Sequence, residues 1–288
     1  MEEKWTILKV LQWTSQYFTN KGIQQPRAAA EVLLSHVLGM ERIQLYLNHD
    51  KPLAPEELAR YRDFVRRRAA FEPTQYIVGK QEFWSLEFEV TPAVLIPRPE
   101  TEILVEKALE IAGGRPRFVL DLCTGSGAIA IALAHERPDI RVLATDISPA
   151  ALVLARRNAV RNGVEDRIRF AGMDLFTALV RAHTFDLIVS NPPYVAESEM
   201  LDLAPEIANY EPHSALRGGG EHGLEIIHEI LDSYSSFLKH TGALLVEIGY
   251  QQADVLEGEL SGKLAGRFEF IRDYSGIKRV LLIRNTEG

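Results

Sequence analysis

A chain of 288 residues with 46% hydrophobic and 25% charged residues has the balance of an ordinary globular protein and the length for two domains, which excludes a disordered or fibrous chain. Its net charge of -8 opposes a broad electrostatic grip on nucleic acid, so no strong nucleic-acid binding is expected. The single cysteine, Cys123, excludes an intrachain disulfide and a cysteine-based zinc site.

That cysteine usage fits a reducing compartment. The start "MEEKWTILKV" is acidic and lacks a long apolar stretch, unlike a secretory signal. No segment reaches the about 18 consecutive apolar residues that a membrane span needs. The expectation is a cytoplasmic protein with no membrane segment, and a monomer, since no coiled-coil pattern is evident.

Residues 1–75 read as helical. Ile7, Val10, Leu11, Thr14 and Phe18 fall at helical spacing with Gly22 as a stop. Pro26 suits the first turn of a second helix and Gly39 its C-terminal cap. A third helix from Pro55 to Ala70 turns Leu58, Tyr61 and Val65 inward and carries Arg60, Arg62, Arg66, Arg67 and Arg68 on its other face. Such a row is either a solvated face or a contact with an acidic protein or with phosphate.

From Tyr76 the pattern changes. "EFWSLEFEV" alternates bulky and polar residues, which predicts a short hairpin within a linker over residues 76–95. Over residues 96–288 strands near 117–122, 140–145, 167–170, 184–190, 242–248, 267–272 and 278–284 alternate with helices. This α/β pattern predicts a mostly parallel sheet of seven strands with helices on both faces, the last two strands forming an antiparallel pair.

"FVLDLCTGSGAIAIALA" is an apolar strand, a glycine turn and a helix. Gly125 and Gly127 let a backbone approach a ligand where a Cβ would obstruct it. Asp146 closes the second strand 19 residues after Gly127, where a carboxylate can accept from both hydroxyls of a ribose. The glycine pattern alone also fits a dinucleotide fingerprint. S-adenosylmethionine is favoured by Asp121, inside the first strand, which suits an ammonium and would repel a pyrophosphate. Asp174 after the third strand suits an adenine amino group, with Leu175 and Phe176 near the ring, or is a plain loop aspartate.

"FDLIVSNPPYV" runs an apolar strand into two prolines, which stop it in a stiff extended turn. Ligands of open α/β sheets bind beyond the carboxyl ends of the strands, so Asn191 belongs beside the cofactor. Its side-chain oxygen and the carbonyl of Pro192 offer two acceptors for the hydrogens of a planar nitrogen, and Tyr194 offers an aromatic wall.

An Asn-Pro-Pro-Tyr turn after the fourth strand resembles the enzymes that methylate planar nitrogens, adenine N6 or glutamine. Together with "PTQYIVGKQEFW", "LIPRPETE", "DLCTGSGAIA", "EPHSALRGGGEHGL" and "EIGYQQ", the chain resembles the peptide chain release factor glutamine methyltransferase family (PrmC/HemK) over essentially its full length. The resemblance implies a class I, Rossmann-like methyltransferase domain preceded by a β-hairpin linker and a small helical domain that grips the substrate. It implies methyl transfer from S-adenosylmethionine to the side-chain N5 of the glutamine in the GGQ motif of class 1 release factors.

By the same resemblance, cofactor positions fall on Cys123, Thr124, Gly125, Ser126, Gly127, Asp146, Ile147 and Asn191, with Arg98, Glu100 and Thr101 closing over the cofactor. The substrate glutamine would meet Asn191, Pro192, Pro193 and Tyr194, with Glu211 and Pro212 in a substrate-side loop. Three positions depart from the family pattern: His222 stands where aspartate is frequent, Leu175 replaces an aromatic, and Cys123 replaces glycine. Cys123 at a helix start reads as a thiol of lowered pKa or as a packing residue. The histidines show no metal spacing.

Three alternatives share parts of this pattern. An N6-adenine methyltransferase acting on DNA or RNA has the same tetrapeptide, but residues 1–75 hold 11 Lys and Arg against 9 Asp and Glu, too little excess for a phosphate groove. A non-catalytic cofactor sensor would not need Asp121, Gly125, Asp146 and Asn191 together. An NAD-dependent dehydrogenase has no role for the asparagine.

Overall fold

A computed structural model describes residues 5–114 and 117–285. The residues Met1–Lys4 that open the stretch read as a non-secretory start lie outside the described residues. Two units are distinguished, one running up to Gly79 and including Ala204–Tyr210, the other formed by Lys80–Leu203 and the residues from Glu211 onward.

In the first unit, α1 (Ile7–Asn20) starts at Thr6, whose hydroxyl accepts from the Lys9 amide, and buries Ile7, Val10, Leu11, Thr14 and Phe18 as the spacing predicts. Helix α2 (Pro26–Leu38) runs from its proline to Gly39, which takes the left-handed conformation. The six-residue α3 (Arg42–Leu47) was not expected, since it buries only Leu45 and leaves no periodic signal. Helix α4 (Pro55–Ala69) buries Tyr61 and Val65. The short α5 (Thr74–Val78) buries Tyr76 and Ile77, which the sequence reading assigned to the linker.

The arginine row is not a uniform solvated face. Arg66 pairs with Asp63 and Arg67 with Glu72. Arg68 is buried and reaches Glu206 at 3.5 Å. Glu206 lies on α9 (Pro205–Tyr210), which belongs to this unit although its sequence falls within the α/β stretch, and the Tyr210 hydroxyl donates to the Ala70 carbonyl at 2.9 Å.

The second unit opens with a hairpin of β1 (Lys80–Phe83) and β2 (Leu86–Glu89). Its two turn residues, Trp84 and Ser85, have φ of 54° and 57°, the backbone a two-residue hairpin requires. Two hydrogen bonds hold that turn, from the Trp84 amide to Glu102 and from its indole to Glu136, each 2.8 Å.

Seven strands follow: β3 (Arg117–Leu122), β4 (Ile140–Asp146), β5 (Ile168–Gly172), β6 (Phe185–Ser190), β7 (Leu238–Glu247), β8 (Phe268–Arg272) and β9 (Lys278–Arg284). Their order is β5-β4-β3-β6-β7-β9-β8, with the first five parallel and β9 antiparallel to both its neighbours, as the α/β pattern predicts.

Side chains alternate between two cores. Val119, Leu187, Val189 and Leu245 pack with α6 (Glu102–Ala112), α7 (Ala128–Glu136) and α8 (Pro149–Arg161). Leu120, Ile188, Leu244 and Val246 pack with α10 (Glu225–Ser233) and α11 (Gln252–Leu260). This period of two, buried on both sides, is why the strands read as continuous apolar runs. The chain steps from β3 out to β4 and β5, then returns to the other side of β3 as β6. The crevice beyond the carboxyl ends of β3 and β6 is therefore the topological switch point, the place where such sheets bind ligands.

Candidate active site

A cavity of about 320 Å³ lies there, lined by the turn after β3, the end of β4, the turn after β6, a strap over residues 93–101 and a loop from Pro212. In the first turn Gly125 has φ of 54°, and its amide donates to Asp146 Oδ2 at 2.8 Å. Asp146 Oδ1 accepts from the Ser148 amide at 2.8 Å. Burial pushes the Asp146 pKa up, and these amides hold it down. Each oxygen keeps a further lone pair.

Asn158, buried on α8, fixes the turn from below, donating to the Ser126 carbonyl at 2.9 Å and bonding Glu89 through both backbone groups. Gly127 starts α7 with φ of 84°, and a Cβ there would stand 3.2 Å from that of Ala155, so it serves helix packing and does not line the cavity.

Asp121 is fully buried one layer behind Thr124, whose hydroxyl donates to its Oδ2 at 2.6 Å. Its Oδ1 has no hydrogen-bond partner. Burial pushes its pKa up to about 7 against the Thr124 hydroxyl and the Ala130 amide. Asp121 is absent from the cavity lining, so the structure places this predicted cofactor residue behind the turn and not at the cavity.

Cys123 lines the cavity, but its thiol is raised, not lowered. Desolvation and the charges of Asp146, Asp121 and Asp174 outweigh a hydrogen bond with Ser190, so the option of an activated thiol is overturned. Ile147, Asp174 and Leu175 line the cavity as well. Phe176 does not, because it stacks on Phe237 in the second core, with ring centroids 4.7 Å apart.

Across the cavity, Arg98 and Thr101 line the strap, whereas Glu100 is exposed and lies outside the lining. Glu211 is buried with its carboxylate on Arg98 and on the Ile96 amide at 3.3 Å, so it ties the strap down instead of facing the cavity. Pro212 lines the cavity.

In the turn after β6, Asn191 and Pro193 line the cavity and Pro192 is buried. Asn191 Nδ2 donates to Thr101 Oγ1 at 3.1 Å. The Tyr194 hydroxyl points away from the cavity and donates to Glu247 at 3.2 Å. Burial and the Glu247 charge raise the phenol pKa, so it stays protonated.

Sequence reasoning missed what holds this turn. Gln252 is buried, and its amide donates to the carbonyls of Tyr194 at 2.8 Å and His222 at 2.7 Å while its oxygen accepts from Gly249 at 2.7 Å. A Cβ on Gly223 would stand 2.1 Å from the Tyr194 oxygen, and one on Gly218 would stand 2.6 Å from the Tyr194 Cα. The stretches "RGGGEHGL" and "EIGYQQ" carried the only signal, as parts of a resemblance without a stated role. His222 is exposed and contributes only its carbonyl.

A doubly wound sheet with this acid and glycine pattern at its switch point, beside an Asn-Pro-Pro-Tyr turn, defines a Rossmann-like methyltransferase. Residues 9–79 match the family described as PrmC N-terminal domain and residues 99–241 the family described as methyltransferase small domain. The chain is 46% identical over 279 residues to the release factor glutamine methyltransferase of Geobacter sulfurreducens, covering 97% of this chain and 96% of that one. It is 39% identical to that of Rhodopirellula baltica, covering 98% and 97%. It also shares its fold with a solved methyltransferase from Pyrococcus furiosus, at TM-score 0.54 and 21% identity over 77% of this chain and 99% of that one. The chain belongs to the release factor glutamine methyltransferase family.

Proposed function

We propose that this protein transfers a methyl group from S-adenosylmethionine to the side-chain amide nitrogen of the glutamine in the GGQ motif of class 1 peptide chain release factors. The observation that carries this reading is Asn191. Its amide nitrogen is committed to Thr101, which leaves Oδ1 as an acceptor at a cavity that the cofactor-type turn also lines.

The residues present fit the cofactor. Asp146 has lone pairs for ribose hydroxyls, Thr124, with the Asp121 carboxyl behind it, suits an ammonium, and Asp174 and Leu175 suit an adenine. Bound S-adenosylmethionine supplies a methyl already activated on a sulfonium.

The protein's task is to present the nucleophile. Asn191 Oδ1 accepts one hydrogen of the glutamine amide and the Pro192 carbonyl the other, which turns the nitrogen lone pair out of conjugation and toward the methyl. Tyr194, anchored at its hydroxyl, stiffens the turn that bears both acceptors. No base is needed before attack, because the nitrogen becomes acidic only on alkylation and then loses one proton. Glu211 acts on the strap in this reading rather than on the substrate directly, and the exposed Glu100 is given no role.

The unit ending at Gly79 is assigned to gripping the release factor, in the cytoplasm where translation factors work. Its apolar groove, lined by Trp5, Trp13, Tyr17 and Leu58, supports a protein partner. The pairing of Arg66, Arg67 and Arg68 with acids leaves less charge for the adenine alternative.

Incubation of an unmethylated class 1 release factor with this protein and S-adenosylmethionine, followed by peptide mass spectrometry, tests the reading. A methyl-sized gain on the GGQ glutamine is expected. No gain on the release factor, with transfer to DNA or RNA instead, would replace it.

A further inference from the structure

The order of the strands lays the cofactor out across the sheet. Asp174 and Leu175, suited to the adenine, follow β5, and Asp146, suited to the ribose, ends β4. Thr124 follows β3, and Asn191, which faces the methyl, follows β6. The amino-acid end of S-adenosylmethionine therefore belongs between the ends of β3 and β6. That end carries a carboxylate beside its ammonium, and a carboxylate in a cavity needs a cation or donors. Thr124 spends its hydroxyl proton on Asp121 at 2.6 Å and is left as an acceptor, while Asp146 and Asp174 are acids.

Among the described residues lining the cavity, two are cationic, Arg98 and Arg217, and they are held in different ways. Arg217 is exposed, with its Nε 3.4 Å from the exposed Glu197, a solvated pair. Arg98 bonds through one terminal nitrogen to Glu211, whose side chain is 2% exposed. The other Glu211 oxygen accepts from the Ile96 amide at 3.3 Å, so the carboxylate is itself fixed to the strap. The rest of the Arg98 fork has no hydrogen-bond partner among the described residues, which leaves N–H groups for a ligand.

The strap brings this fork to the required end. The Thr101 amide donates to the Arg98 carbonyl at 3.1 Å, closing one tight turn over residues 98–101. On the same turn Thr101 Oγ1 accepts from Asn191 Nδ2 at 3.1 Å. Arg98 is thus tied to the side chain that faces the methyl, and only a short carbon chain separates the cofactor's carboxylate from the sulfur that bears that methyl.

We infer that Arg98 binds the carboxylate of the cofactor's amino-acid end, with Glu211 as the positioning residue that aims the guanidinium. A planar fork matches a carboxylate with two parallel hydrogen bonds. Glu211 fixes the arginine before the ligand arrives, so little side-chain freedom is lost on binding. The inference rests on S-adenosylmethionine as the cofactor and not on a release factor glutamine as the substrate, so its test needs no methyl acceptor.

Calorimetry of the full-length protein with two probes decides it: S-adenosylhomocysteine, and its decarboxylated analogue, which keeps the adenosine, the sulfur and the amine. The parent should prefer S-adenosylhomocysteine by about 10- to 100-fold, the scale of hydrogen bonds to a charged group. Arg98→Met should erase most of that preference and leave the affinity for the analogue nearly unchanged. Glu211→Gln should lower the preference by a smaller factor. The two substitutions combined, which remove the buried acid that Arg98→Met strands, should match Arg98→Met alone.

An arginine that only ties down the strap would weaken both probes alike in Arg98→Met, and that result would overturn the inference. So would a parent that binds the two probes equally, or a loss of the preference in Arg217→Met instead. An unchanged preference in Glu211→Gln would overturn its positioning role. Binding of neither probe by the parent would overturn the cofactor reading along with the inference.

Discussion

The turns after β3 and β6 lie side by side at the same cavity, yet they are built in opposite ways. The first is held within one stretch of the chain, residues 121–158: the Gly125 amide on Asp146, the Ser126 carbonyl on Asn158, and Thr124 on Asp121 three residues back. The second is held by residues far away in the chain, Thr101, Glu247 and Gln252, with the bare backbones of Gly218 and Gly223 pressed against it. A backbone cradle suits a ligand recognised by fixed hydrogen bonds, whereas orienting a weak nucleophile calls for side chains locked from behind.

Substitutions should separate these two roles. The largest effect is expected for Asn191→Ala, with kcat lowered on the order of 10²–10³-fold, the scale of losing one aligned polar group in an active site, and cofactor affinity within a few-fold. Parallel loss of both quantities, by calorimetry and single-turnover kinetics, would merge the two turns into one binding site. Asp146→Ala should do the reverse and weaken cofactor binding by about 10- to 100-fold, since hydrogen bonds to a charged group are worth about 1.5–3 kcal/mol. An unchanged dissociation constant would remove Asp146 from the cofactor.

Gly223→Ala must displace the Tyr194 carbonyl, and φ of 67° adds strain, so kcat should fall roughly tenfold, about 1.4 kcal/mol, with little change in cofactor affinity. Gln252→Ala leaves the Tyr194 and His222 carbonyls without their donor and should cost about 1–3 kcal/mol of stability, measurable by urea unfolding.

The smallest effect concerns pH. Burial pushes the Asp121 pKa up to about 7 in the folded protein. An unfolded aspartate titrates at about 3.9. Between these values the folded state holds a proton that the unfolded state has released, so stability falls as pH rises through that window and levels off above it. Asp121→Asn should therefore raise the melting temperature of the ligand-free protein by a few degrees at pH 8 and leave it nearly unchanged near pH 4. An equal shift at both pH values would place the ionisation elsewhere.

The same contrast governs how much was legible beforehand. The seven strands, α1, α2, α4 and the hairpin were readable because burial on one or both faces imposes a period. The short α3 and α5 were not, since one or two buried side chains make no pattern. At the site, Gly125, Asp146 and Asn191 were found from the turn chemistry of adjacent residues. Asn158, Glu247 and Gln252 were not, because each is a polar residue in an otherwise ordinary element and gains its role only from what folds against it. Phe176 was misplaced for the converse reason: proximity in sequence put it near the ring of the cofactor, while packing carried it to Phe237.

The sequence by itself determined the sheet, the class of ligand its first turn suits and the asparagine that faces it, since local periodicity and turn residues encode those directly. Only the tertiary structure decided that the Cys123 thiol is raised, that Glu211 secures the strap, and that a buried carboxyl takes the Tyr194 hydroxyl. Desolvation and hydrogen-bond direction depend on which distant groups are brought together, and no stretch of neighbouring residues carries that information.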